Sequence, residues 1–212
     1  MTTTPVREAR KPSMEVAMSA ESLPTWFYPP PEDGWTAEDL DRLPPTAPER
    51  VELIDGALIF MSPQARFHSR VLRRLTTELE RVAPSGFGVD SEMTIKLGKR
   101  QRPQPDIVVF REDPESPFDQ GITVYQPEDV LLVVEVVSPE SEVRDRETKP
   151  LRYAQAGIPH FWRIEREGAQ PVVHVFELEV TTGAYVSTGI MRDRLKVDVP
   201  FPVDVELAPL AR

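Results

Sequence analysis

The chain has 212 residues, enough for one domain of ordinary size with a real core. Its 40% apolar and 28% charged residues describe a globular protein rather than a disordered or membrane-embedded one. A net charge of −10 argues against a general polyanion binder, though not against a local basic groove, and the lack of cysteine removes both disulfides and thiolate zinc sites.

Residues 1–28 mix Thr, Pro, Glu and Arg without periodicity and are expected to form a flexible N-terminal tail before a single domain over 29–212. The short stretch from Met14 to Ala20 is broken by Glu15 and Ser19, so no signal peptide is expected. The longest apolar run is too short to span a bilayer, and a cytoplasmic location with no membrane partner is expected.

Thr36 followed by Glu38 and Asp39 predicts a short acidic helix to about Leu43, ended by Pro44 and Pro45. Asp55-Gly56 between two apolar runs predicts a hairpin over 51–61. Ser62-Pro63 then opens an amphipathic helix, with Phe67, Val71, Leu72, Leu75, Leu79 and Val82 on one stripe and most of its arginines off it. Strands are expected over 88–97 and 106–110, separated by the basic turn Lys96–Arg102. Residues 111–128 read as an acidic loop.

Val130–Val137 is aliphatic throughout except for Glu135, and such a run predicts a strand buried on both faces. A helix follows from about Glu142 to Ala156, capped by Gly157. Pro150 would break its interior, so the regular helix is expected to start near Arg146, with Pro150 in the first turn. A strand over 161–165, a hairpin over 172–178 and 185–190, and an extended segment over 195–207 complete the chain.

Glu135 is the informative residue. An ionised carboxylate inside a buried strand is costly unless a cation, a metal or several hydrogen bonds replace lost water. Asp106 begins the preceding strand, and two carboxylates on adjacent strands can converge on a hard cation such as Mg²⁺. Lys149 on the next helix could orient a metal-bound water and offset developing phosphate charge.

Several segments together resemble the Uma-two family. They are Arg50-Val51-Glu52-Leu53-Ile54-Asp55-Gly56, Pro105-Asp106, Val134-Glu135-Val136-Val137-Ser138-Pro139, Asp145-Arg146-x-x-Lys149-x-x-x-Tyr153, and Ala156-Gly157-Ile158-Pro159-His160-Phe161-Trp162. The resemblance spans about Thr36 to Leu207. It implies a restriction-endonuclease-like, or PD-(D/E)XK, α/β fold with a mixed sheet flanked by helices. It also implies metal-dependent hydrolysis of DNA phosphodiesters with Mg²⁺ or Mn²⁺. Carried across, Asp106 and Glu135 become metal ligands, with the main-chain carbonyl of Val136 as a third oxygen. Glu52 supports the metal through water. The lysine usual two places after the glutamate is replaced by Val137, and Lys149 takes its role.

Other readings stay open at this level. Glu135 could pair with Arg163, Lys149 could be a solvated helix residue paired with Asp145, and Glu52 could be an ordinary exposed strand residue. Tyr153 reads as packing. His68 reads as a partly buried histidine with a hydrogen-bond partner, or as a residue near the metal; His160 and His174 read as surface or packing residues. The basic turn is the best local candidate for phosphate contacts, together with the arginines of the 66–81 helix. A duplex cut needs two sites, which a homodimer would supply. The rival class is a nuclease-derived nucleic-acid-binding or protein-interaction module without catalysis; a third is a hydrolase of small phosphate esters.

Overall fold

The structure, a computed structural model, describes residues 24–28, 34–112 and 121–212. The expected tail therefore lies outside the described residues except for 24–28, where Thr25–Phe27 forms a 3-10 turn and Phe27 stacks on Phe60. α1 (Ala37–Leu40) starts at Thr36, whose backbone N–H and hydroxyl both donate to Asp39 Oδ2. β1 (Val51–Ile54) and β2 (Ala57–Phe60) form the expected hairpin. Asp55 (φ 51°) and Gly56 (φ 81°) both take positive φ, the geometry of a tight hairpin turn.

α2 (Arg66–Val82) buries His68, Val71, Leu72, Leu75 and Leu79, the stripe that its periodicity predicts. It starts later than Ser62-Pro63 suggests. Met61 N–H still donates to the Arg50 carbonyl, which prolongs the hairpin, and Ser62 before a proline is disfavoured in the helical region. The strand expected over 88–97 is two strands, β3 (Phe87–Ser91) and β4 (Thr94–Ile95), because Glu92 turns the chain at φ 59°. β5 (Ile107–Arg111) follows. The expected loop over 111–128 contains β6 (Val124–Tyr125), parallel to β4, and a 3-10 turn at Pro127–Asp129.

β7 (Val130–Val136) is buried at every position. The helical segment begins at Glu142 and passes through a π-helical turn (Arg144–Thr148) directly into α3 (Lys149–Gln155). Thr148 is itself helical, so Pro150 lies inside a continuous helical segment just after the π turn rather than in a first turn that starts near Arg146. α3 ends with Gly157 at φ 82°. Gly157 N–H donates to the Ala154 carbonyl and Ile158 N–H to the Tyr153 carbonyl, the paired bonds of a Schellman cap. Then come β8 (His160–Glu167), β9 (Gln170–Glu179) and β10 (Ala184–Met191). The extended C-terminal segment closes as a hairpin of β11 (Arg194–Val197) and β12 (Val203–Glu206).

The main sheet has six strands in the order β10-β9-β8-β7-β5-β3, antiparallel except for the parallel pair β7–β8, which α3 connects. α2 covers one face: its Val71, Leu75 and Leu79 pack with Ile107, Val109, Leu132, Val134 and Trp162. Each such side chain contributes about 1.5–3 kcal/mol on burial. On the other face Tyr153 of α3 packs with Val108, Val133, Ile158 and Phe161. The β1–β2 hairpin is tied to this body by reciprocal backbone bonds between Leu53 and Arg102. No helix among the described residues is long and apolar enough to cross a membrane.

Candidate active site

Side chains alternate along a strand, so in β7 Leu132, Val134 and Val136 face α2 while Glu135 shares the α3 face with Val133. Ile107 pairs with Val134 in the β5–β7 ladder, and one further step of that register sets Asp106 opposite Glu135. Asp106 is held at both oxygens: Val136 N–H donates to Oδ2 (2.6 Å), and His68 Nε2 stands 3.0 Å from Oδ1. It is therefore the amide of Val136 that contacts Asp106.

Lys149 is only 2% exposed and is not a solvated helix residue. Its Nζ lies 2.8 Å from Glu52 Oε1, 3.1 Å from Glu135 Oε1 and 3.4 Å from Asp145 Oδ1. Tyr153, one turn further along α3, donates its hydroxyl to Glu135 Oε1 (2.7 Å). Glu52, 1% exposed, also accepts the Gln104 backbone N–H at 2.8 Å, so it is a buried member of the cluster rather than an exposed strand residue. Arg163 sits in register with Glu135 on β8, but its guanidinium pairs with Glu165 (2.8 Å), and Lys149 is the counter-charge of Glu135.

The charges act on one another. Burial pushes the Glu135 carboxyl well above the ordinary range; Asp145, Asp106 and Glu52 add repulsion, and Lys149 opposes them. Burial likewise raises Asp145, with Lys149 again opposing. For Lys149, burial works against the charged form, but Glu135, Glu52 and Asp145 outweigh it and hold the amine well above its usual value. Lys149 is thus a firmly charged ammonium at neutral pH. Burial and the charge of Glu135 keep Tyr153 protonated, which suits it as a donor.

The donors are of the type that a hard divalent cation takes. They are carboxylate oxygens in anionic surplus, and the buried Asp145 Oδ1 has no formed hydrogen bond. Among the described residues no group of three or more His, Cys, Asp or Glu side chains stands ready-made to hold an ion. The lysine ammonium occupies the middle of Glu52, Glu135 and Asp145.

The expected residues Glu52, Asp106, Glu135 and Lys149 therefore cluster, and three further residues join them. His68 touches Asp106, while Asp145 and Tyr153 flank Lys149 at i−4 and i+4. That four-residue spacing was the available signal, since it sets all three on one side of a helix. The basic turn lies elsewhere. Lys96 pairs with Glu38 (2.6 Å), Arg100 donates to the Asp55 carbonyl (3.2 Å), and the buried Arg102 bonds Ala37 O and Asp41. These residues brace α1 and the hairpin. His160 and His174 are half-buried and outside the cluster, and burial lowers the pKa of both.

A family model, Uma2, described as "Putative restriction endonuclease", matches residues 37–210. Among solved structures, one titled "a putative nuclease belonging to DUF820 from Anabaena variabilis ATCC 29413" is 19% identical. It covers 78% of this chain and 89% of its own with a TM-score of 0.57, a likeness of fold. NucC of P. aeruginosa ATCC27853 in its cAAA-bound form is 15% identical over 60% of this chain and 85% of its own, with a TM-score of 0.32. A comparison with curated proteins returned no match. The fold, a mixed sheet flanked by helices, is restriction-endonuclease-like.

Proposed function

The chain belongs to the Uma2 family, and from that premise we propose that it is a metal-dependent endonuclease that hydrolyses DNA phosphodiester bonds. The observation that carries this reading is the Lys149 ammonium, buried between Glu52 and Glu135, with Asp106 one strand away.

Asp106 and Glu135 would hold Mg²⁺ or Mn²⁺, with the main-chain carbonyl of Val136 as a third oxygen and Glu52 acting through water. The bound ion supplies Lewis acidity and a lowered water pKa. The chain's own groups do the rest. His68 and the Val136 amide fix the orientation of Asp106. Tyr153 and Lys149 fix Glu135 from the α3 side. Because its carboxylate neighbours keep Lys149 protonated, it acts as a fixed positive charge and not as a general base. It offsets the negative charge that grows on the phosphate oxygens as water attacks phosphorus and the P–O ester bond breaks. A homodimer would supply the second site that a duplex cut requires.

One observation favours the rival reading, a nuclease-derived binding module: every carboxylate contact of Lys149 is already made and the residue is closed off from solvent. Cleavage decides between them. Purified protein should cut plasmid or single-stranded DNA with Mg²⁺ or Mn²⁺ and not with EDTA, and folded Glu135→Ala should not cut. Equal cutting by both proteins would remove Glu135 from the reaction. No cutting by either would favour the binding module.

A further inference from the structure

Beside the carboxylate cluster runs a cleft of about 520 Å³ between α2 and the Ser91–Glu92 turn, with Arg50 and Arg73 on its walls. Its walls are joined to the site at three points. Ser69 follows His68 on α2. Glu92 N–H donates to the Asp106 carbonyl (3.0 Å). Arg50 precedes Glu52 by two residues, about 7 Å along an extended chain and on the same face.

The donors in the cleft are few. The hydroxyls of Ser69, Thr76 and Thr77 donate to carbonyls of their own helix, at Ala65, Leu72 and Arg73. That leaves the two guanidiniums, the Gln64 amide and the Ser91 hydroxyl, of which only the guanidiniums carry charge. Arg50 gives Nη2 to Glu92 (2.7 Å), but its buried Nε has no hydrogen-bond partner, and a guanidinium carries five N–H donors. Arg73 is exposed and has no carboxylate partner among the described residues. Two acids also line the cleft. Glu92 is committed to Arg50, and Glu80 lies seven residues beyond Arg73, about 10 Å along the helix. α2 as a whole carries five arginines against two glutamates, a positive surplus in a chain of net charge −10. Glu92 holds its non-glycine φ of 59° while its backbone ties Asp106 and its carboxylate ties Arg50. Such strain persists only where surrounding structure enforces it.

We propose that this cleft is the track of the DNA strand, and that Arg50, aimed by Glu92, and Arg73 bind the phosphates flanking the scissile one. This rests on the nuclease reading above. Arg50 is the nearer contact, being attached to the same strand as Glu52; Arg73 follows one turn along α2 from Ser69. Both contacts are to phosphate, so they position the strand without reading its sequence.

The test is binding of a fluorescently labelled DNA oligonucleotide in a Glu135→Gln background with Mg²⁺, followed by anisotropy over a range of salt concentrations. Adding Arg50→Gln or Arg73→Gln should weaken binding and flatten the slope of log K against log salt by about 1 each. Arg50→Lys should restore the slope. Glu92→Gln should tighten binding, because the amide oxygen can still accept from Arg50 and keep its aim while the competing negative charge is removed, a gain that structural damage would not produce. Arg192→Gln, an exposed arginine paired with Glu167 after β10, should change nothing. Unchanged slopes in Arg50→Gln and Arg73→Gln, or an equal loss in Arg192→Gln, would overturn the track while leaving the nuclease reading intact. A background protein that binds no DNA, together with wild type that cuts none, would overturn both.

Discussion

Replacing Lys149 with methionine keeps the length of the side chain and removes the cation shared by Glu52, Glu135 and Asp145. Stripping one partner from a buried ion cluster costs about 3–5 kcal/mol, because the remaining charges stay in low dielectric without compensation. In a chain of this size each kcal/mol moves Tm by about 2–4 °C, so a fall of roughly 6–20 °C is expected. The deficit should depend on pH. Burial already raises Glu135 and Asp145 above their ordinary values, and Lys149 is what holds them down. Without it their folded pKa values rise further. A carboxyl raised in the folded state contributes stability below its unfolded pKa and loses it as pH rises through the folded one. Lys149→Met should therefore lag wild type most near pH 8 and recover towards pH 5, by at most about 1.4 kcal/mol per pH unit for each carboxylate. Urea unfolding of both proteins at pH 8, 6.5 and 5 reads this directly. Cleavage by the variant should fall about 10²–10³-fold. A deficit under about 1 kcal/mol, or one that is flat across the pH range, would refute Lys149 as the counter-charge of the cluster.

Tyr153→Phe deletes only the hydroxyl bonded to Glu135 and should cost about 1.5–3 kcal/mol in urea unfolding, with the far-ultraviolet spectrum unchanged. Gly157→Ala meets no atom within 4 Å of the new Cβ, yet forces alanine into φ 82°. It should cost about 1–2 kcal/mol, and no loss at all would show that the cap relaxes. Burial lowers the His160 pKa, with Glu177 across the ladder opposing it. A histidine lowered in the folded state loses stability as pH falls below its unfolded value. Between pH 7.5 and 5.5 the Tm of wild type should therefore drop further than that of His160→Gln.

Features with a local cause were readable from the chain. The Asp55-Gly56 turn, the stripe of α2 and the Gly157 cap each depend on a few neighbouring residues. Glu135 was readable because a charge inside an aliphatic strand is conspicuous whatever lies around it. What escaped depends on distant segments meeting. Tyr153 looks like packing, and its ring is packed, but its polar tip finds a carboxylate 18 positions away. For His68 burial and a hydrogen-bond partner were readable, but not that the partner is Asp106, and Arg102 likewise meets Ala37 and Asp41, none of them near in sequence. The break at Glu92 came from a positive φ that no turn residue announces.

The π turn at Arg144–Thr148 sets the phase of α3. Lys149 N–H reaches back to the Arg144 carbonyl, so the turn holds one residue more than an α turn would. If the same residues wound as an ordinary α turn, everything downstream would rotate by about 100° relative to Val143. Lys149 and Tyr153 would swing off Glu135 together, with no change in either side chain. Deleting one residue while the turn closes as α would instead return both to nearly the same phase. The phase between β7 and α3 is thus stored in the width of one turn, and a one-residue gap at this point in a related chain is compatible with a retained site.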